Sequence, residues 1–280
     1  MKPRSKTESA PHAVRTVQRR RGGAAPADER DDLAVEEPLE IRVEGRPVAV
    51  TMRTPGHDGE LAAGFLLTEG VIRRREDIVG IAPARAKKGG GAEANIIDVK
   101  LARPDAVDFA RLTRHVFTAS SCGLCGKATI AAVQAKNPAL PPEAGPRATP
   151  ETLARLPAAL AAAQTTFQRT GGLHATGLFT ADGGLLVLRE DVGRHNAVDK
   201  VIGHLLLDGE FDPGAVILLV SGRVAFEIVQ KALAARIAFI AAISAPTSLA
   251  VDFSRASGQT LVGFLRDGRM NIYAGPDRVV

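Results

Sequence analysis

Cys122 and Cys125 are the only cysteines in 280 residues, and they stand three apart in Ser120-Ser121-Cys122-Gly123-Leu124-Cys125-Gly126-Lys127. A thiol reacts as its thiolate, and a free pKa of about 8.5 leaves a small ionised fraction near neutrality unless a cation or a helix N-terminus helps. Lys127 is close enough in sequence to supply that charge. The glycines flanking Cys125 open backbone angles closed to other residues and leave room for a second molecule to reach a sulfur. The pattern suits an exposed, mobile nucleophile. Structural zinc would need four Cys/His ligands, and the histidines here are scattered without ligand spacing. A thioredoxin-type pair follows the first strand of its fold, whereas this one lies mid-chain. A stable disulfide would be kept reduced in a cytosolic setting.

A second set of residues could bind an anion. Arg189-Glu190-Asp191-Val192-Gly193-Arg194-His195-Asn196 packs six ionisable or amide side chains into eight positions, and Ser221-Gly222-Arg223 and Ser244-Ala245-Pro246-Thr247-Ser248 each join an apolar run to a helix pattern. Small residues at such junctions leave N–H groups pointing outwards, which favours phosphate. Arg223, Arg194 and Arg189 could add bidentate contacts. The competing reading is structural, with Asp191 as a helix cap and Arg194 paired to Glu190. Both remain open for any single residue, but so many charges in one loop are costly without a ligand. His174, after Gly171-Gly172, and His195 are equally open: a lone histidine is more often a satisfied donor than a base.

The elements that must position these residues follow from periodicity. Leu39–Glu44 alternates apolar and polar as a half-buried strand does, Gly45-Arg46 turns, and Val48–Met52 returns. Asp58 is a plausible N-cap for a helix over Glu60–Glu69, closed by Gly70. Ile78–Leu101 predicts a second hairpin around Lys87-Lys88-Gly89-Gly90-Gly91. A short helix is expected over Ala128–Ala135. Asn137–Pro150, with five prolines, reads as a linker or long surface loop. Thr149-Pro150-Glu151-Thr152 opens an Ala-rich helix running to Gln164. Ala175–Phe179 and Leu185–Leu188 predict a hairpin, and Asp191–Leu207 a helix. Beyond them, strands (Ala215–Ser221, Ile237–Ser244, Thr260–Leu265, Met270–Tyr273) alternate with helices (Val224–Arg236, Pro246–Ala256), as in a three-layer α/β domain with a mostly parallel sheet. In such sheets ligands sit at the C-terminal strand ends. The expected organisation is a disordered basic tail and acidic connector over 1–34, a small α+β domain over 35–118, the cysteine loop and linker over 119–150, and the α/β domain over 151–280.

Composition narrows the function classes. The net charge of +5 is concentrated in residues 1–23, where seven Lys/Arg face one Glu, so the rest is near neutral. Aromatic residues make up 4%, with no Trp and one Tyr, too few to build a stacking platform for single-stranded nucleic acid. No run reaches the ~18 apolar residues of a spanning helix, and no apolar run of signal-peptide length follows Arg19-Arg20-Arg21. These features predict a cytoplasmic protein without nucleic-acid or membrane partners.

From about residue 35 to the C-terminus the chain resembles the FdhD family, sulfurtransferase accessory proteins of formate dehydrogenase. The resemblance rests on Ser121-Cys122-Gly123-Leu124-Cys125-Gly126, Gly172-Leu173-His174-Ala175, Glu190 to Lys200, Ser221-Gly222-Arg223 with Glu227 to Lys231, and Thr260 to Tyr273. It implies a homodimer whose C-terminal domain looks like the cytidine deaminase fold. It implies that persulfide sulfur is taken from a cysteine desulfurase and passed to the molybdenum or tungsten bis-guanine-dinucleotide pterin cofactor (Mo-bis-MGD when the metal is molybdenum) for insertion into formate dehydrogenase. Cys122 matches the persulfide position, with Cys125 as its partner. Phe264-Leu265-Arg266-Asp267-Gly268-Arg269 matches the cofactor-binding segment; the guanine and phosphates are expected against it, Arg223 and the Ser244–Ser248 loop, with His174, Arg194 and His195 as further cofactor-binding candidates. A base deaminase would need His-x-Glu and Pro-Cys-x-x-Cys around zinc. Here Ala175-Thr176 follows His174 and Ser121 precedes Cys122, so no resident metal is expected. The alternative class is a chaperone that only holds the guanylated cofactor, its cysteines serving as a redox switch.

Overall fold

The computed structural model describes residues 10–22, 25–85, 92–109, 137–209 and 212–280. They form a mixed α+β fold of N- and C-terminal subdomains. The N-terminal sheet has the order β4-β3-β6-β5, built from β3 (Glu37–Val43), β4 (Arg46–Arg53), β5 (Ile78–Arg85) and β6 (Ala92–Leu101). The two predicted hairpins are its antiparallel pairs, and β3 and β6 join them in parallel. Leu39, Ile41 and Val43 alternate inwards on β3, the period-2 pattern that marked the strand. Helix α1 (Asp58–Thr68) follows β4 through a buried turn held by Arg53, whose guanidinium donates at 2.9 Å to both Asp58 oxygens and at 2.8 Å to Asn95. The residue before α1 is His57, in the left-handed region at φ 60° and making no side-chain cap, so Asp58 is the first helical residue and not the cap expected.

The C-terminal sheet has the order β12-β11-β10-β9-β7-β8, from β7 (His174–Phe179), β8 (Leu185–Asp191), β9 (Ile217–Val220), β10 (Phe239–Ala242), β11 (Thr260–Arg266) and β12 (Arg269–Ala274). Only the β9-β10 and β10-β11 ladders are parallel; β7 runs against both β9 and β8, and the hairpins β7-β8 and β11-β12 complete the edges. The sheet is therefore mixed and not mostly parallel, because β7 and β12 enter it through hairpins and make the other three ladders antiparallel. Its two faces bury alternate residues. Ile217, Leu219, Phe239, Ala241 and Val262 pack under α2 (Pro150–Ala163), with Leu153, Leu156 and Leu160. Leu218, Val220, Ile240, Ala242 and Leu261 pack under α4 (Arg194–Asp208), α5 (Phe226–Ala234) and α6 (Ser248–Ala256). That gives the three layers expected. α2 begins where Thr149 caps it, its hydroxyl accepting from Thr152 N–H at 3.2 Å, and α3 (Thr165–Thr170) follows directly.

The second core also takes in Leu39, Leu61, Leu66 and Val99, so the subdomains share one hydrophobic interior. Their closest approach is the crossing of α1 and α4 at Gly64 and Gly203. A Cβ on either would lie 1.8 Å from a backbone carbonyl of the other helix, Asp199 or Glu60 respectively. Only glycine permits that spacing.

Two segments differ from the sequence reading. Residues 12–19 and 27–34 are not a disordered arm but an antiparallel ribbon, β1 (His12–Arg19) on β2 (Ala27–Ala34). The basic and acidic runs are its two strands: Arg19 reaches Glu29 at 3.1 Å and Asp31 at 3.3 Å, and Arg169 on α3 holds Asp32 at 3.3 Å. The proline-rich stretch before α2 is pinned to the C-terminal subdomain. Leu140 is buried, Arg278 donates to the carbonyls of Ala144, Pro142 and Gly258, and Ala148 bridges to Val279. The expected helix over Ala128–Ala135 and the glycine-rich loop before β6 lie outside the described residues.

Candidate functional site

Cys122, Cys125 and Lys127 also lie outside the described residues, so the site is built from the strand ends. At the C-terminal end of the parallel strands the chain gathers the start of β7, the end of β8 with the start of α4, and the loops after β9 and β10. His174 pairs in register with Asp191 across β7-β8. The Ser221 hydroxyl accepts from Ala175 N–H at 2.9 Å, anchoring the β9-α5 loop beside His174. That loop is zipped to the next one: Val224 N–H donates to Ala245 at 3.1 Å and Thr247 N–H to Val224 at 2.9 Å. Thr247 in turn caps α6. Phe264 N–H donates to Ser244 at 3.1 Å, which brings β11 alongside.

The charged loop divides into two parts. Arg189 donates to Glu60 of α1, at 2.7 Å from one guanidinium nitrogen, and Glu190 accepts from the N–H groups of Thr166 and Phe167 at 3.0 and 2.7 Å. Asp191 is 0% exposed and forms an ion pair with Lys200 at 2.7 Å. It also accepts from the N–H groups of Thr54 and Gly193 and from the Asn196 amide. Lys200 donates onward to the Thr54 carbonyl at 2.8 Å, and Asn196 to Met52 at 2.7 Å. These residues are the seam between subdomains. A second buried pair extends it: Lys231 donates to both Asp199 oxygens at 2.8 and 2.7 Å and to Thr68 at 3.0 Å. Burial pushes the Asp199 carboxyl up, against the pull of Lys231.

The other part is Arg194 and His195. Arg194 is not paired to Glu190, which is committed to α3, and both Arg194 Nε and His195 Nε2 are buried without a hydrogen-bond partner among the described residues. Such orphans are rare in folded proteins and call for an explanation. Burial, with Lys231, Arg194 and His174 nearby, holds the His195 pKa at about 3. Burial and Arg194 also lower that of His174, Asp191 opposes them, and Arg223 adds to the lowering. Both rings are thus neutral at pH 7 in a cation-rich setting whose loop carboxylates, Glu190 and Asp191, are already spent. Gly222 lets His174 and Arg194 converge: a Cβ there would lie 3.3 Å from His174 Nδ1 and 3.9 Å from Arg194 Cβ. The sequence reading places Gly222 in a strand-end loop of the site and Lys231 in a matched block, but not the pairing of Lys231 with Asp199, which depends on a partner on another helix.

The segment Phe264–Arg269 forms the β11-β12 tip. Phe264 and Asp267 take left-handed backbone angles, φ 51° and 53°, and the register shifts between Gly263 and Arg266. Positive φ at non-glycine residues concentrates in functional segments. Arg266 lies 5.5 Å from the Phe264 ring centroid, and Arg269 and Asp267 are exposed, as is Arg223. Leu265 points the other way, fully buried under α2, so its side chain serves packing. The structure therefore brings His174, Arg194 and His195 together with the loop that carries Arg223, while the Asp267-Gly268 turn stands further along the sheet edge.

The class defined so far is an α+β protein of two subdomains that, among the described residues, leaves a guanidinium and an imidazole nitrogen unpaired at its strand ends. The chain belongs to the FdhD/NarQ family, whose model matches residues 34–280. It is 52% identical over 270 residues to the sulfur carrier protein FdhD of Streptomyces coelicolor, covering 95% of this chain and 94% of that protein. The sulfur carrier protein FdhD of Mycobacterium tuberculosis is 51% identical over 256 residues, 89% of this chain and 92% of that one. A crystal structure from Desulfotalea psychrophila, described as a formate dehydrogenase accessory protein, has the same fold with a TM-score of 0.73 at 24% identity, over 97% of this chain and 100% of that one.

Proposed function

We propose that the protein is a sulfurtransferase that takes persulfide sulfur from a cysteine desulfurase and passes it to the guanylated molybdenum (or tungsten) pterin cofactor on which formate dehydrogenase depends. The observation that carries this reading is membership of the family across residues 34–280, with relatives half identical that are named sulfur carriers. In the first step the Cys122 thiolate attacks the outer sulfur of the desulfurase persulfide; a new S–S bond forms, the old one breaks, and the desulfurase thiolate leaves. In the second a nucleophilic acceptor supplies the electron pair that bonds the sulfane sulfur, the S–S bond breaks and Cys122 leaves as its thiolate; Cys125 either relays the sulfur by the same exchange, becoming the persulfide, or releases it as sulfide by forming a Cys122–Cys125 disulfide that a cellular thiol then reduces. Arg194, Arg223, His174 and His195 receive the dinucleotide end of the cofactor together with Phe264, Arg266, Asp267, Gly268 and Arg269. Leu265 supports that segment from beneath. The C-terminal subdomain, a mixed sheet between helices, fits a cytidine-deaminase-like arrangement, and the active form is a homodimer. The cofactor is substrate and cargo here; the protein needs no resident metal.

The test is complementation of a strain lacking this activity. The wild-type gene restores formate oxidation and Cys122→Ala does not. A Cys122→Ala variant that restores full activity leaves only cofactor holding, and the sulfurtransferase reading falls.

A further inference from the structure

The β1-β2 ribbon is a sheet of its own, and its residues 12–33 lie ahead of the segment that the family model matches. Side chains alternate between its two faces, and residues paired across the strands share a face. Asp32 and Ala34 lie on the face that rests on the C-terminal subdomain: Asp32 holds Arg169 at 3.3 Å, and a Cβ on Gly172 would lie 3.3 Å from that of Ala34. The other face carries the rungs Ala13–Leu33, Arg15–Asp31 and Val17–Glu29. Arg15 is exposed there, and so is Leu33, by 42%. Arg15 donates to its neighbour's carbonyl, Val14 at 3.0 Å, and has no carboxylate partner among the described residues; Asp31, across the rung, is held by Arg19 at 3.3 Å. At the base of the ribbon Ala13, Arg15 and Leu33 border a groove of about 440 Å³ that continues to Glu36 and Glu37.

We propose that this outward face of the ribbon is a surface on which two copies of the chain meet, stacked about a two-fold axis that runs parallel to its strands. The inference rests on the homodimer of the proposed function and goes beyond it in naming the surface and the register. Charge selects the axis. A two-fold across the strands would lay β1 on β1 of the second copy, base against base, and β2 on β2, acid against acid. A two-fold along the strands lays β1 of each copy on β2 of the other. A closed two-fold allows no slide along its own axis, so each rung meets the same rung. Arg15 then faces Asp31 of the partner subunit, and Leu33 stands over the small Ala13 of the partner subunit, with both contacts made twice. Packed sheets lie about 10 Å apart, a gap that an arginine and a carboxylate can bridge between them. The stacking gives the unpaired guanidinium a carboxylate and the exposed leucine a hollow. A face of eight residues is about 26 Å long and about 10 Å wide, roughly a third of the ~800 Å² a side of a standard interface, so the ribbon sets the register within a wider contact.

The experiment is native mass spectrometry of the full chain at micromolar concentration, with copies distinguished by a mass tag. The wild type is dimeric. Arg15→Asp alone and Asp31→Arg alone each set like charges against one another at both symmetric contacts and weaken the dimer about tenfold or more. The double variant Arg15→Asp/Asp31→Arg reverses both sides of the rung and dimerises again. The decisive sample mixes the wild type with the tagged double variant, dissociated by dilution and then reconcentrated. Each ribbon keeps one base and one acid in its own rung, so an effect confined to a single ribbon does not tell the two proteins apart. A mixed dimer, however, sets base against base and acid against acid, and mixed dimers fall about fivefold or more below the half expected from random pairing. Random pairing, single variants that dimerise as tightly as the wild type, or a monomeric double variant overturns the assignment of this face. A monomeric wild type overturns the homodimer together with it. Neither result bears on sulfur transfer, which Cys122→Ala complementation tests separately.

Discussion

Asp191 and Lys200 are the most deeply buried ion pair of the seam, 0% and 1% exposed, so Asp191→Asn alone and Asp191→Asn combined with Lys200→Met carry different expectations. Asp191→Asn removes one charge and leaves the other in the interior with only the Thr54 carbonyl and a neutral amide beside it. A buried pair broken from one side costs about 3–5 kcal/mol, because the remaining ion keeps its desolvation penalty. Set against a typical folding stability of about 5–15 kcal/mol, that is about a fifth of the total or more. The double variant Asp191→Asn/Lys200→Met removes the orphaned charge and recovers at least half of the loss. Urea unfolding followed by circular dichroism measures all three, and the core shared by both subdomains gives the transition a common unit. A cost below about 1 kcal/mol for Asp191→Asn, or a double variant no better than the single one, refutes the view that this pair locks the subdomains together.

Other outcomes follow from the same geometry. Burial raises the Glu60 carboxyl, but the Arg189 and His57 contacts outweigh it and bring its pKa down to about 2 from 4.5. A lowered carboxylate pKa gives stability that is complete above about pH 4.5 and lost as pH falls toward 2, at most about 3 kcal/mol, so Glu60→Gln flattens the acid limb of the stability curve in that window. A depressed histidine pKa acts higher up: with His195 at about 3 against 6.5, stability present above pH 6.5 is lost on the way down, and His195→Gln removes that part of the slope. Gly64→Ala and Gly203→Ala each drive a methyl into a backbone carbonyl and lower stability by at least about 1–3 kcal/mol in the same urea assay.

Much of this architecture was legible in the sequence because it is local. Period-2 alternation marked β3, the Thr149-Pro150 pair marked the start of α2, and Asp267-Gly268 marked the last hairpin. What was missed depends on distant partners. The basic and acidic runs of residues 12–34 look like a tail and a connector until they are laid side by side, when Arg19 finds Glu29 and Asp31. The strand-helix alternation suggested a mostly parallel sheet, yet the β7-β8 hairpin joins it antiparallel through β9. The run Arg189–Asn196 was read as one charged loop with two possible fates, and it has both. Arg189, Glu190, Asp191 and Asn196 are claimed by Glu60, the start of α3, Lys200 and β4, partners that lie on other elements or, for Lys200, further along α4. Arg194 and His195 are left over. Leu265 sat in a segment matched to cofactor binding, but strand alternation points it into the core beneath Phe264.

The central claim is that a cysteine of this chain carries sulfur, and intact-mass spectrometry after incubation with a cysteine desulfurase and cysteine tests it most directly. The account predicts a species heavier by one sulfur atom, mapped by peptide fragmentation to Cys122, reversed by a reducing thiol and absent from Cys122→Ala. A Cys122→Ala protein that gains the same sulfur, or a wild-type protein that gains none, contradicts it.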